Sequence, residues 1–164
     1  MSTSRRNTKS AVAGESAAAH LRRLIAQFAP ARQRLIGALR RWLRKRLPTA
    51  HELVYEYSNS LVISYSPNER GYEGVFAIRA SADGVRLYFN RGKGMRDPEK
   101  LLQGSGNQTR SIHLEGASTL ARPAVARLMD EAIARNPVPF ATTGRGPTVI
   151  RSASARQRQR RRRA

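Results

Sequence analysis

Residues 52–65 read ELVYEYSNSLVISY, and residues 84–90 read GVRLYFN. In the first stretch Leu53, Tyr55 and Tyr57 alternate with Val54 and Glu56. After Ser58-Asn59, Leu61, Ile63 and Tyr65 alternate with Val62 and Ser64. A period of two sends successive side chains to opposite faces of a strand. Two strands joined by a Ser58-Asn59 turn are therefore expected. In the second stretch Val85, Leu87 and Phe89 alternate with Arg86, Tyr88 and Asn90 behind Asp83-Gly84, a strong hairpin turn. Gly74 to Arg79 supplies the partner strand, and Thr109 to Leu114 a fifth strand. Strands joined by short turns make a mainly antiparallel, five-stranded sheet.

On either side of this sheet the period lengthens. Leu21, Leu24, Ile25 and Phe28 follow the i, i+3, i+4, i+7 spacing of one helical face. Pro30 suits the first turn of a second helix. That helix carries Leu35, Ile36, Leu39, Trp42, Leu43 and Leu47 on one stripe, and Pro48 stops it. Its other side holds Arg32, Arg34, Arg40, Arg41, Arg44, Lys45 and Arg46, expected to be solvated. A short helix is expected at Pro98–Leu102. Pro123 opens a last helix with Val125, Leu128, Met129, Ala132 and Ile133 on one face. The fold class that follows is α+β, with helices covering one face of the sheet.

The chain has 164 residues, with 31 Lys and Arg against 11 Asp and Glu, a net charge of +20. The excess is local. Residues 21–50 carry +9 and residues 141–164 carry +8, while residues 51–140 are nearly balanced at +1. Residues 1–17 are small and polar, too poor in apolar surface to offset the entropy of ordering. Residues 141–164 mix Gly, Pro, Ser and Thr with Arg156, Arg158, Arg160, Arg161, Arg162 and Arg163. Like charges at that density repel. The expected organisation is a disordered tail over 1–17, one domain over 18–140 and a disordered Arg-rich tail over 141–164.

Several chemistries are excluded or disfavoured. The absence of cysteine rules out disulfides, thiolate metal sites and thiol nucleophiles. His20, His51 and His113 are scattered, and no Ser-His-Asp arrangement with a nucleophile elbow is present. Glu52 and Glu56 would stand about 13 Å apart on a strand, too wide to act together, so both are expected to balance charge on a half-exposed strand. No apolar run approaches the length of a membrane span, and no secretory signal is seen, so a cytoplasmic location is expected. No cofactor, catalytic residue or metal ligand is assigned.

Binding remains. Arg91, Lys93 and Arg96 cluster in one Gly-rich loop, and Ser105 and Arg110 flank a second, GSGNQTR. Both are candidate anion sites, since glycine turns present backbone amides to an anion. Neither is a Walker or Rossmann motif. Arg40, Arg41 and Arg44 of the basic helix, with Arg156, Arg158, Arg160, Arg161, Arg162 and Arg163 of the tail, are candidate polyanion contacts. Tyr55, Tyr57, Tyr65, Tyr72, Tyr88 and Phe89 raise the possibility of a base-stacking sheet, but without an RNP signature most of these rings are expected in the core or at sheet edges.

The stretch Asp97-Pro98-Glu99-Lys100-Leu101-Leu102-Gln103-Gly104-Ser105-Gly106, followed by Arg110-Ser111-Ile112-His113-Leu114, resembles the signature of the YdhG-like family. Leu47-Pro48 and Glu52 also fit, and the resemblance covers about Phe28 to Asn136. It implies a compact α+β domain with helices on a curved antiparallel sheet. One branch of that family includes a frataxin-like iron chaperone. Where family members usually carry a Gly-x-Pro turn after the first strand, this chain has Tyr57-Ser58-Asn59-Ser60-Leu61. Iron binding is not carried over, because a hard cation needs converging oxygen ligands and no acidic cluster is present. The resulting expectation is a non-enzymatic binding or accessory protein whose partners are polyanions, nucleic acid above all, with an unidentified protein partner. The alternative is a frataxin-like metal chaperone or a small-molecule enzyme using the Gly-rich loops.

Overall fold

The structure is a computed structural model that describes residues 14–151. The N-terminal tail through residue 13 and the Arg-rich cluster from residue 152 onward lie outside the described residues. The element order is α1 (Ala17–Ile25), α2 (Pro30–Arg46), β1 (His51–Glu56), β2 (Ser60–Ser66), β3 (Phe76–Ser81), β4 (Gly84–Phe89), β5 (Arg110–Leu114), α3 (Pro123–Arg135) and β6 (Thr148–Arg151). Two short 3₁₀ segments, Gly71–Glu73 and Ala117–Ala121, precede β3 and α3.

Each helix starts where local chemistry allows. The Ser16 hydroxyl accepts from Ala19 N at 3.1 Å and so caps α1. Pro30 and Pro123 occupy the first turns of α2 and α3, where no amide donor is needed. Arg44, Lys45 and Arg46 crowd the last turn of α2 and oppose its dipole favourably. Residues 98–102 are not helical. The Asp97 carboxylate instead accepts from Leu101 N and Leu102 N, both at 2.8 Å, and closes a turn. An aspartate that satisfies these amides from outside competes with helical bonding.

The strands form one six-stranded sheet in the order β5-β4-β3-β2-β1-β6. Five of them form an antiparallel meander, as the alternation implied. The sheet is nonetheless mixed, because β6 pairs parallel to β1, Glu52 opposite Thr148 and Val54 opposite Ile150. This corrects the five-stranded expectation. β6 falls in the stretch whose composition reads as a tail.

Register sorts the side chains into two faces. Val54, Leu61, Ile63, Tyr65, Phe76, Ile78, Ala80, Val85, Leu87, Phe89, Ile112 and Leu114 share one apolar cluster with Leu21, Leu24, Ile36, Leu39, Leu43, Val125, Leu128 and Met129 of the helices. All three helices therefore contribute to the core on this face. Phe76 and Phe89 meet edge to face, with centroids 5.5 Å apart. Leu53 and Ala77 are buried but lie outside that cluster, on the opposite side.

Candidate functional site

The basic helix does not present all its arginines to solvent. Arg40 and Arg44 turn toward the sheet and close on Glu52, which is fully buried. Arg40 donates Nε and Nη2 to the two carboxylate oxygens, each at 3.0 Å. Arg44 donates Nη2 at 2.9 Å, the Tyr65 hydroxyl donates at 2.7 Å and the Thr148 hydroxyl at 2.8 Å. Arg44 Nη1 also reaches the carbonyls of Ala50 and Gly146 at 2.9 and 3.0 Å. One carboxylate thus joins α2, β1, β2 and β6. Burial alone would raise its pKa, but the Arg40 fork, Tyr65 and Arg44 outweigh it and hold it at about 2. Burial and the adjacent carboxylate push the Tyr65 phenol up. Glu52 was expected on a half-exposed strand; its partners come from residues 12, 13 and 96 positions away, which no local pattern reveals.

The same cluster explains β6. The segment has few apolar residues, so polar contacts hold it: Gly146 N donates to Pro48 O at 3.0 Å and Glu52 N to Pro147 O at 2.9 Å. Gly146 passes so close to the Ala50 carbonyl that no Cβ could fit. These bonds are internal and their acceptors filled, so the cluster is a clamp. Of the three helix arginines expected to meet polyanions, only Arg41 remains exposed.

The first glycine loop does gather cations. Arg91, Lys93 and Gly94 line a depression of about 400 Å³ with Asn107, Gln108 and Arg135. Arg91 Nη1 donates to Asn136 Oδ1 at 2.6 Å, and Arg135 Nη2 donates to Lys93 O at 3.2 Å, which fixes two of the three cations. No carboxylate lines the depression; Glu131 reaches Arg135 Nη1 only at 3.8 Å. Arg96, Ser105 and Arg110 do not join this basin. Arg96 N faces the Glu131 carboxylate at 3.2 Å. Arg110 Nη1 donates to Gly106 O at 2.6 Å and Thr109 O at 2.8 Å, closing the GSG loop on itself. Arg135, contributed by α3, is the member the sequence reading missed; its distance along the chain leaves no signal.

A second surface lies on the sheet face away from the apolar cluster. The loop carrying Gly71–Glu73 covers its β1–β2 side, with Gly71 against the Tyr55 hydroxyl and Gly74 against Ser64. Beyond that loop a groove of about 440 Å³ is lined by Tyr57, Asn59, Val62, Ala77, Arg79, Tyr88 and neighbours. A second depression of about 340 Å³ continues it through Asn59, Arg79 and Tyr88 to Arg86. Of the rings, Tyr65 and Phe89 are core, whereas Tyr55, Tyr57 and Tyr88 are only half-buried and Tyr72 is exposed. The histidines stay apart: His20 on α1, His51 at the start of β1 and His113 on β5. Among the described residues no three His, Asp or Glu side chains gather as metal ligands, and no helix is long and apolar enough to cross a membrane.

Comparison of the chain with protein-family models, curated proteins and solved structures finds no match.

Proposed function

We propose that this protein is a non-enzymatic, cytoplasmic accessory protein that binds polyanions, nucleic acid above all, through phosphate contacts and without sequence readout. The YdhG-like resemblance belongs to the same proposal and rests on Asp97–Gly106 and Arg110–Leu114. The observation that carries the reading is the basin of Arg91, Lys93 and Arg135, three cations on one depression with no carboxylate in its lining. Residues 14–151 hold 22 basic and 11 acidic side chains, so the domain is cationic even without its ends. Arg34, Arg41 and Lys45 on the exposed side of α2 extend the positive surface. Arg156, Arg158, Arg160, Arg161, Arg162 and Arg163 add a dense charge run outside the described residues. Each neutralised phosphate releases condensed counterion, so affinity falls with salt at a log–log slope of about −0.9 per contact on duplex DNA.

Filter binding across a salt series tests this with the full chain, with an Arg91→Ser/Lys93→Ser/Arg135→Ser variant and with the chain cut after Ala155. The basin variant is expected to lower the slope by about two to three, and the cut by several. Unchanged slopes in both would refute phosphate binding at these positions. A marked preference among duplexes of equal length would refute the absence of sequence readout.

A further inference from the structure

The open sheet face is cationic in an unusual way. The register aligns one row across all six strands: Arg151, Tyr55, Val62, Arg79, Arg86 and His113. Arg79 and Arg86 are direct cross-strand neighbours. Like charges directly opposite one another destabilise a sheet. Neither is neutralised: among the described residues Arg79 has no hydrogen-bond or ion-pair partner. Arg86 Nε donates to Ser111 Oγ at 3.2 Å and its Nη2 donates to Gln103 Oε1, both neutral oxygens. Arg86 is thus oriented while its charge is left for something else. Beside this pair, Tyr57 and Tyr88 line the groove with Asn59 and Asn90, and no carboxylate lines it. Asp83 is the one acidic residue in the adjoining depression, at its hairpin rim.

We infer that this groove binds single-stranded nucleic acid, with unpaired bases stacked on Tyr57 and Tyr88 and phosphates held by Arg79 and Arg86. The inference rests on the polyanion reading and names which polyanion the sheet face takes. Cations alone would suit any phosphate chain. The rings decide between them, because only a strand with unpaired bases offers π-faces to an aromatic lining a groove; in a duplex those faces are stacked on one another. Stacking on tyrosine tolerates every base, which agrees with a surface that has no recognition helix. Asn59, Asn90 and Ser60 at the groove wall can donate to or accept from base edges and phosphate oxygens.

The experiment compares four probes on the full chain by anisotropy and competition: oligothymidine, its duplex with oligoadenine, an abasic strand of the same length and inorganic polyphosphate. Tyr57→Leu/Tyr88→Leu is expected to weaken oligothymidine binding about tenfold per ring while leaving the other three probes unchanged. Tyr88→Phe keeps the ring and is expected to keep the affinity. Arg79→Gln is expected to reduce the salt slope on oligothymidine by about 0.7, one single-strand contact. Photocrosslinking of the unmodified chain to oligothymidine, expected at Tyr57 or Tyr88, reads the site without any variant. Equal losses on all four probes, or crosslinks confined to the C-terminal arginines, would overturn base stacking here and leave the polyanion reading standing. Unchanged affinity in the tyrosine variant would do the same. Failure of the unmodified chain to bind any of the four would overturn both.

Discussion

Two arginine pairs sit on opposite faces of one sheet and are treated in opposite ways. Arg40 and Arg44 converge on a fully buried Glu52 that accepts five hydrogen bonds. Arg79 and Arg86 stand side by side on neighbouring strands with only neutral partners for Arg86. The first pair shares one buried carboxylate and directs its donors inward, so it is committed to the fold and not to a ligand. The second keeps its charge at a groove with two tyrosine rings. Net charge therefore says little about where a polyanion binds; what matters is which cations the fold has already matched with an anion.

The sharpest way to break this contrast is Glu52→Gln. It removes the buried charge and leaves two guanidinium groups facing a neutral amide. Breaking one side of a buried ion pair costs about 3–5 kcal/mol, so a large fall in the denaturant midpoint is expected, with β6 the first element to lose protection in hydrogen exchange. A midpoint within experimental error of the parent would show that Glu52 is not the clamp described.

Acid titration gives the next largest effect. Glu52 titrates at about 2 in the fold against an ordinary value of 4.5. A lowered folded-state pKa stabilises above the unfolded value, and that stability is lost as pH falls from about 4.5 through about 2. The contribution at neutral pH is about 3 kcal/mol. The stability gap between the parent and Glu52→Gln, followed by urea unfolding at descending pH, should narrow through this window. A gap independent of pH would contradict the titration.

The smallest effect concerns the open pair. Arg79→Thr relieves a like-charge neighbour and places a β-branched residue on a strand, so stability should stay level or rise by a few tenths of a kcal/mol. Oligothymidine affinity should fall in the same variant. A clear loss of stability would mean that Arg79 has an internal partner and that the two pairs are less different than described.

Much of the scaffold was legible in the residues. The Leu21–Phe28 and Leu35–Leu47 stripes became α1 and α2, and the alternation from Leu53 to Phe89 became the meander. Periodicity is a local property, and these segments carry it over several turns or pleats. The Pro98–Leu102 helix failed because the Asp97 side chain takes the amides a helix would use. β6 was invisible because two aliphatic residues in a Gly- and Pro-rich stretch make no pattern. For the site, Arg91 and Lys93 were found through their loop, whereas Arg135 comes from a helix 42 residues later. Tyr57 and Tyr88 were noticed as rings, but nothing in their spacing told them from Tyr65, which is core.

The sequence by itself determined the α+β class, the helix and meander segments, the lack of thiol chemistry and the cationic balance, since each follows from composition or short-range period. Tertiary structure alone decided which arginines are matched and which are open, which tyrosines face the helices, and that residues 148–151 close the sheet. The physical reason is that burial and charge pairing depend on contacts between segments far apart in the chain. Arg40, Glu52 and Thr148 meet only once the sheet has formed and α2 has docked on it.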